Sequence, residues 1–207
     1  MNNDGQTVFI VDDDEGVRDG LSLLLATVGL SCELYESAHE FLDAYDGARR
    51  GCLVLDIRMP RMTGLDLQKK LQEMGCTVPV IFITGHGDIP MAVEAMRHGA
   101  LDFIRKPFRE HDLLERINEA LNIDEDAHRK ALDRQQMAEK LSTLTEREKE
   151  VFDRVADGYM NKVIAAELGI SERTVEVHRG QVMKKLDVRT LAQLVRVKIE
   201  LEQSAAA

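Results

Sequence analysis

The apolar positions of residues 1–122 follow two alternating periods. Five short runs rich in β-branched and aromatic residues are almost continuously hydrophobic, and they occupy residues 7–11, 31–35, 52–55, 80–84 and 101–104. Between the first two runs, apolar residues recur at helical spacing, as at Val17, Leu21 and Leu25. Strands that alternate with helices predict a five-stranded, parallel, doubly wound α/β sheet. Because the runs are continuous rather than alternating, both faces of the sheet should be covered.

The pattern changes near residue 123. A helix is predicted from about residue 110, with the apolar stripe Leu113, Leu114, Ile117, Ala120 and Leu121, and the sequence that follows it is polar. Residues 123–140 are therefore predicted to form a solvated helical linker. Residues 141–207 contain no strand pattern, begin with the capping box TERE at 145–148, and are broken at 157–158, 168–169 and 187. These features predict an all-α domain of four helices.

The composition is that of a soluble globular protein. Of the 207 residues, 44% are hydrophobic and 31% are charged, and no run approaches the ~20 apolar residues that span a bilayer. The N-terminus lacks the charged and apolar regions of a signal peptide. Three widely spaced cysteines, Cys32, Cys52 and Cys76, fit neither a disulfide framework nor a metal site, so we expect buried thiols in a reducing cytoplasm.

The net charge of −10 is distributed unevenly along the chain. Residues 1–122 hold 12 Lys and Arg against 21 Asp and Glu, whereas residues 141–207 hold 11 of each. Within the second region, residues 160–198 hold 8 basic against 4 acidic residues. The two halves are therefore expected to bind different partners, with a basic element in the rear domain.

Polar residues stand where the predicted strands end. Asp12 and Asp13 follow the first strand, Asp56 the third, Thr84 ends the fourth, and Lys106 lies just past the fifth. Ligands bind beyond the carboxyl ends of parallel strands, so these side chains are expected to form one site. Three carboxylates suit Mg²⁺, or Mn²⁺ in its place, because these ions prefer oxygen ligands. A carboxylate there can act as a nucleophile toward a phosphoryl group, whose oxygens the hydroxyl and the ammonium would stabilise.

Each of these residues has a simpler interpretation when it is taken alone. An Asp at a strand end is most often a helix N-cap or a turn residue, and the sequence DDEGVR predicts that role for Asp14. Thr84 beside Gly85 is typical of a turn, and Lys106 of a surface charge. Their joint placement at four strand ends favours the phosphoryl-binding interpretation.

Four motifs, IVDDDE, LVLDIRMPRMTG, VIFITGHGD and ALDFIRKPF, occur in order in residues 1–122. Through them this region resembles the receiver domain of two-component response regulators, which has a flavodoxin-like fold. The resemblance implies that Asp56 accepts a phosphoryl group from a sensor histidine kinase. It also implies that Asp13, Asp56 and the main-chain carbonyl of Arg58 bind Mg²⁺, with Asp12 assisting nearby. Thr84 and Lys106 would contact the phosphoryl oxygens. Phe103 would rotate inward when Thr84 moves, and the bond before Pro107 would be cis. His86, in the loop after the fourth run, is expected to face solvent.

In the rear domain, the sequence LGIS predicts a tight turn, with Gly169 at positive φ and Ser171 as the N-cap of the next helix. That helix carries Val175, Val182 and Leu186 on one face, as core positions. Val177 lies about 200° from Val175, among charged residues. An exposed valine is unusual on a merely solvated face, but in a DNA major groove it can contact a thymine methyl group.

The sequence LTEREKEVFDRVADGYMNKVIAAELGISERTVEVHRGQVMKKL resembles the LuxR-type helix-turn-helix, and with the receiver-like region it indicates the NarL/FixJ subfamily. The resemblance implies base contacts by Glu176, Val177 and Gly180. It implies phosphate contacts by Asn161, Lys162, Thr174, His178, Arg179 and Lys184. Gly180 departs from the usual pattern, in which a larger residue stands there. The last helix, from Thr190 to Glu202, has apolar residues Leu191, Leu194, Val195 and Leu201 that either pair two domains or belong to the core of one.

The two resemblances together imply a cytoplasmic, phosphorylation-dependent transcriptional regulator rather than an enzyme, with only self-phosphorylation and slow autodephosphorylation of its own. Phosphorylation of Asp56 would remodel the helix from Ile89 to His98 and favour a homodimer. The implied partners are a sensor histidine kinase, promoter double-stranded DNA and RNA polymerase, and no membrane. Activation of transcription is the more frequent outcome in this family.

Two alternatives stay open at this point. A phosphohydrolase of the haloacid dehalogenase type also uses an Asp nucleophile, Mg²⁺, a Thr and a Lys. Its D-x-D-x-[TV] motif could be read onto Asp12 and Asp14, although Gly16 departs from the motif and the rear domain is left unexplained. The other alternative is a constitutive DNA-binding protein whose front domain is only a scaffold.

Overall fold

The computed structural model describes residues 5–85 and 89–205. The chain divides after His128 into two compact units, and the division falls within the predicted linker 123–140. In the described part of the chain, no helix has both the length and the hydrophobicity to cross a membrane.

The front unit is built on a parallel sheet. Its strands are β1 (Gln6–Val11), β2 (Cys32–Tyr35), β3 (Arg50–Asp56), β4 (Val80–Thr84) and β5 (Asp102–Arg105). Its helices are α1 (Glu15–Thr27), α2 (Ala38–Ala44), α3 (Gly64–Glu73), α4 (Ile89–Arg97) and the first part of α5 (Glu110–Ser142). The described strands pair in the order β2-β1-β3-β4-β5, and all pairs are parallel. The predicted five-stranded doubly wound sheet is thus confirmed.

Helices cover both faces of this sheet. Alternate residues of β1 point to opposite sides, so that Phe9 packs with α2 and α3, whereas Ile10 packs with α1 and α5. Both side chains are fully buried. This two-sided burial explains why the strands read as continuous apolar runs.

The rear unit contains α6 (Glu146–Ala156), α7 (Asn161–Leu168), α8 (Glu172–Lys185) and α9 (Leu191–Ala205). The predicted capping box at Thr145 and Glu148 is present, Gly169 adopts φ 67°, and Ser171 caps α8. The predicted core residues Val175, Val182 and Leu186 are buried. The end of α5 also joins this core through Met137 and Leu141.

Some apolar side chains of α9 belong to the core of one domain, and others are exposed and could pair two domains. Leu194 is 1% exposed, and Leu201 packs against the same core, so these two residues serve the fold of one domain. Leu191 and Ile199 are 43% and 48% exposed. Only part of the apolar set is therefore free to pair with a second copy.

The three cysteines are free thiols. Cys52 is buried, as expected, but Cys32 and Cys76 are only half-buried. The expectation of three buried thiols was therefore wrong for two of them, since both lie at edges of the front unit's core.

Candidate functional site

The ends of β1, β3 and β5 bring two carboxylates and an ammonium together. Lys106 Nζ lies 2.6 Å from Asp12 Oδ2 and 3.0 Å from Asp56 Oδ1. Asp12 is 1% exposed and Asp56 is 7% exposed. Thr84, also buried, ends β4 between the last two of these strands. Because one ammonium contacts both acids, it offsets the repulsion that neighbouring carboxylates would otherwise exert.

Main-chain groups hold both carboxylates in place. The second oxygen of each accepts a backbone N–H, from Asp14 to Asp12 Oδ1 at 3.0 Å and from Arg58 to Asp56 Oδ2 at 2.7 Å. Arg18 Nη1 also donates to the Asp12 carbonyl at 2.7 Å. The predicted N-cap role of Asp14 is confirmed, because its carboxylate accepts from the first turn of α1. Asp14 thus caps a helix and orients its neighbour at the same time.

Gly64 sets the position of the Asp56 backbone. Its N–H donates to the Ile57 carbonyl at 2.9 Å, and a Cβ at this position would overlap the carbonyl oxygen of Asp56. The start of α3 can therefore approach the end of β3 only because residue 64 has no side chain. The role of Gly64 was not predictable from the sequence, since a close backbone approach leaves no periodic signal.

Burial and hydrogen bonding shift the pKa values of Asp56 and Lys106. Burial raises the pKa of Asp56, and the hydrogen bond from Lys106 acts in the opposite direction without cancelling it. Burial alone would lower the pKa of Lys106, but its hydrogen bonds to Asp12 and Asp56 outweigh that effect and raise it. Lys106 is therefore held in the charged form that a phosphoryl group would contact.

The donor set at the strand ends suits a hard cation in part. Asp12 and Asp56 both reach one Lys106 nitrogen, and Mg²⁺ is commonly bound by one or two carboxylates together with water. Asp13 is exposed, and among residues 5–85 and 89–205 no group of three or more acids, histidines or cysteines lies close enough to hold an ion. The pair of carboxylates therefore fits Mg²⁺, whereas the three-carboxylate set stays a prediction.

The structure describes most of the other residues that were predicted near this site. Phe103 is half-buried and packs against the core on the α3 and α4 side of the sheet. The Lys106–Pro107 bond is cis, which confirms that expectation. Arg58 is exposed at the turn after β3. His86 lies outside the described residues.

In the rear unit, α8 presents the predicted DNA-reading residues on one exposed face. Val177 is 57% exposed, and Glu176 and Gly180 are exposed beside it. Lys162 and Lys184 are exposed, whereas the other predicted phosphate contacts are half-buried, namely Asn161, Thr174, His178 and Arg179. Arg179 Nη1 donates to Asn161 Oδ1 at 3.3 Å, which links α7 to α8. The structure thus places an apolar and an acidic side chain together on the exposed face of α8.

Two family models match the chain. Residues 8–118 match the response regulator receiver domain, and residues 142–198 match the bacterial regulatory proteins of the luxR family. The first match includes the strand-end cluster of Asp12, Asp56, Thr84 and Lys106, and the second includes all of α6, α7 and α8. Neither match supports the phosphohydrolase alternative.

Known regulators resemble the chain over almost its whole length. It is 45% identical over 204 residues to the response regulator protein TodT of Pseudomonas putida, with 99% of this chain and 90% of the relative covered. It is 40% identical over 190 residues to the transcriptional regulatory protein FixJ of Bradyrhizobium diazoefficiens, with coverages of 92% and 93%. Among solved structures, that of the response regulator StyR matches with a TM-score of 0.85 at 45% identity, covering 95% of this chain and 99% of the other. Full-length FixJ from B. japonicum matches with a TM-score of 0.59 at 39% identity, with coverages of 94% and 96%.

Proposed function

Because the chain belongs to the response regulators that join a receiver domain to a LuxR-type DNA-binding domain, we propose that Asp56 is its phosphorylation site and that this phosphorylation controls DNA binding. It is a transcriptional regulator of the NarL/FixJ type. The proposal rests on the contact of Lys106 with both Asp12 and Asp56 at the carboxyl ends of the strands.

A sensor histidine kinase is the proposed phosphodonor. An oxygen of Asp56 forms a bond to phosphorus while the bond from phosphorus to the donor's imidazole nitrogen breaks. Lys106 and Thr84 then contact the oxygens of the transferred group. A divalent cation, Mg²⁺ or Mn²⁺, would be held by Asp12, Asp13, Asp56 and the Arg58 carbonyl, and it would neutralise charge on the phosphoryl oxygens.

Phosphorylation is proposed to favour a receiver dimer. Thr84 and Phe103 would move together, since they lie on adjacent strands that face α4. Val93 and Met96 of α4 are 44% and 47% exposed, which is consistent with a surface that a second copy covers. Leu191 of α9 would add a contact between two DNA-bound domains.

Promoter double-stranded DNA is the proposed target of the rear domain. Glu176, Val177 and Gly180 would face the bases, while the half-buried and cationic residues around them hold phosphates. The regulator would act in the cytoplasm, recruit RNA polymerase and activate transcription. Its own chemistry would be limited to self-phosphorylation from a small phosphodonor and slow autodephosphorylation.

Replacing Asp56 tests the phosphorylation site. After treatment with acetyl phosphate and Mg²⁺, the intact mass of the wild-type protein should rise by one phosphoryl group, and that of Asp56→Asn should stay unchanged. Asp14→Asn is the matched control, since Asn also caps helices, and it should be phosphorylated like the wild type. Uptake of a phosphoryl group by Asp56→Asn would contradict the proposal.

The oligomeric state tests the coupling. Light scattering should show more dimer for the phosphorylated wild type than for the untreated protein, and no such change for Asp56→Asn. If phosphorylation changes neither dimerisation nor DNA affinity, the receiver is only a scaffold and the protein binds DNA constitutively.

A further inference from the structure

Two consecutive lysines at the end of α8 have different surroundings. Lys184 is exposed. The Nζ atom of Lys185 instead lies 2.6 Å from Glu148 Oε2 and 2.9 Å from the carbonyl oxygen of Thr143. Successive residues of a helix point about 100° apart, so the two ammonium groups face different surfaces. Lys185 therefore contacts the protein itself, whereas Lys184 is accessible to DNA.

Glu148 ties Lys185 to the first turn of α6. Glu148 as a whole residue is 5% exposed, and its Oε2 also accepts the N–H of Thr145 at 2.7 Å. The hydrogen bond from Lys185 is the largest cause that holds the pKa of Glu148 below its ordinary value. The Lys185 side chain is 30% exposed, so Glu148 is the enclosed partner, and removing the ammonium leaves its carboxylate without a counter-charge. The pair should therefore resist rearrangement.

The same end of α8 is also held by the segment where α5 ends. Thr143, whose carbonyl accepts from Lys185, follows α5 directly, and Lys140 of α5 lies 3.8 Å from Asp187 just past α8. The opposite half of α8 carries the exposed residues Glu176 and Val177. The direction of α8 is thus fixed at its C-terminal end, away from the residues that would read bases.

We propose that Lys185, through Glu148 and Thr143, is a positioning residue for DNA recognition. It holds α8 in the direction that presents Glu176 and Val177 to the bases, and it does not contact DNA. This inference rests on the proposed DNA-binding function of α8. It gives Lys185 a role distinct from the phosphate contact that the family resemblance implies for Lys184.

Binding measurements at several salt concentrations test the proposal. The probe is a fluorescein-labelled duplex that the phosphorylated wild-type protein selects from random DNA, and all proteins are full-length and equally phosphorylated by intact mass. Lys185→Met keeps the aliphatic stem but loses the ammonium. Its Kd should rise about tenfold, comparable to impairing one base contact, while the slope of log K against log salt stays unchanged. The matched variant Lys184→Met should instead lower the magnitude of that slope by about 0.9, the value for one phosphate contact.

Two results would overturn the proposal. A salt slope lowered by about one in Lys185→Met would show that Lys185 contacts a phosphate directly. An unchanged Kd, in a Lys185→Met protein that circular dichroism shows to be folded, would show that the contact serves stability alone.

Glu148→Gln gives a second test if Lys185→Met does not fold. It weakens the ion pair from the other side, so its Kd should also rise with an unchanged slope, and the effects of the two substitutions should be non-additive in the double variant. Fully additive effects would contradict a shared role. A wild-type protein that selects no DNA sequence would instead refute the proposed function, and the inference would fall with it.

Discussion

Gly180 lies in the exposed face of α8, and no atom approaches within 4 Å of the place that a Cβ would occupy. Its backbone is helical, so a side chain can be added without strain. Gly180→Ala should therefore raise the free energy of unfolding by about 1 kcal/mol, because Ala loses less backbone entropy in a helix. Urea denaturation followed by circular dichroism would measure the change.

Gly20→Ala in α1 is the control for this substitution. Gly20 is also exposed and has open space around its Cβ position, so the expected stabilisation of its own unit is similar. Only Gly180→Ala should change the base preference of the selected DNA site, since of the two glycines only Gly180 lies on the face of α8 that is proposed to contact bases. Equal DNA selection by both variants would place Gly180 outside the interface.

Single residues also show the limit of what the sequence could predict. Asp14 was identifiable as an N-cap because a capping residue has a local signal, namely an acid followed by a helical period. The positioning role proposed for Lys185 was not identifiable, although a phosphate contact was predicted for Lys184. The positioning role depends on Glu148, which is remote in sequence and reaches Lys185 only in the folded unit. The identity of a residue predicts its chemistry, but which group a side chain contacts depends on residues that are remote in the sequence.

At the scale of secondary-structure elements, the capping box of α6 links stability to pH. The pKa of Glu148 lies below its ordinary value of 4.5, chiefly because of Lys185 and then Thr145. A carboxylate with a depressed pKa stabilises the folded state fully above its unfolded pKa, and that stabilisation is lost as the pH falls through the folded value. The Tm of the wild type should exceed that of Glu148→Gln above pH 4.5, and the difference should shrink below it. A difference that persists undiminished at lower pH would show that the charge on Glu148 is not its cause.

The buried and the exposed side of α9 should contribute differently to the free energy of unfolding. Leu194→Ala removes a side chain that is 1% exposed and should lower the free energy of unfolding by about 2–5 kcal/mol. Leu191→Ala, on the 43% exposed side, should change it by less than about 0.5 kcal/mol. Urea denaturation of both variants would measure the contrast. Similar effects would mean that the exposed side of α9 is also covered.

Elements of the front unit were predictable where their period was unambiguous. β4 has the predicted bounds, but β3 is longer than its apolar run. Its ladder with β1 begins at Arg50, and its ladder with β4 extends to Asp56, which pairs with Ile83. In α9, spacing alone could not separate core from surface. Leu194 and Leu191 belong to one apolar set in the sequence, and only packing against α6 and the other helices distinguishes them.

For the whole molecule, the alternation of strands and helices was sufficient to predict the doubly wound sheet, because that topology follows from parallel pairing. The strand-end cluster was predictable for the same reason, since parallel strands bring Asp12, Asp56 and Lys106 to one edge. The arrangement of Asp13 was not predictable in the same way. Its side chain direction depends on the turn after β1, where it is exposed while Asp12 is buried.

The division into two compact units also divides the charge of the molecule. Residues 1–128 hold 12 Lys and Arg against 24 Asp and Glu, whereas residues 129–207 hold 15 against 13. A duplex therefore repels the first unit and attracts the second, within a Debye length of about 10 Å at 0.1 M salt. Encounters in which the rear unit meets DNA are consequently favoured over those in which the receiver does. We therefore expect the acidity of the receiver to influence how fast the protein finds DNA, because collisions that bring the receiver against a duplex are disfavoured.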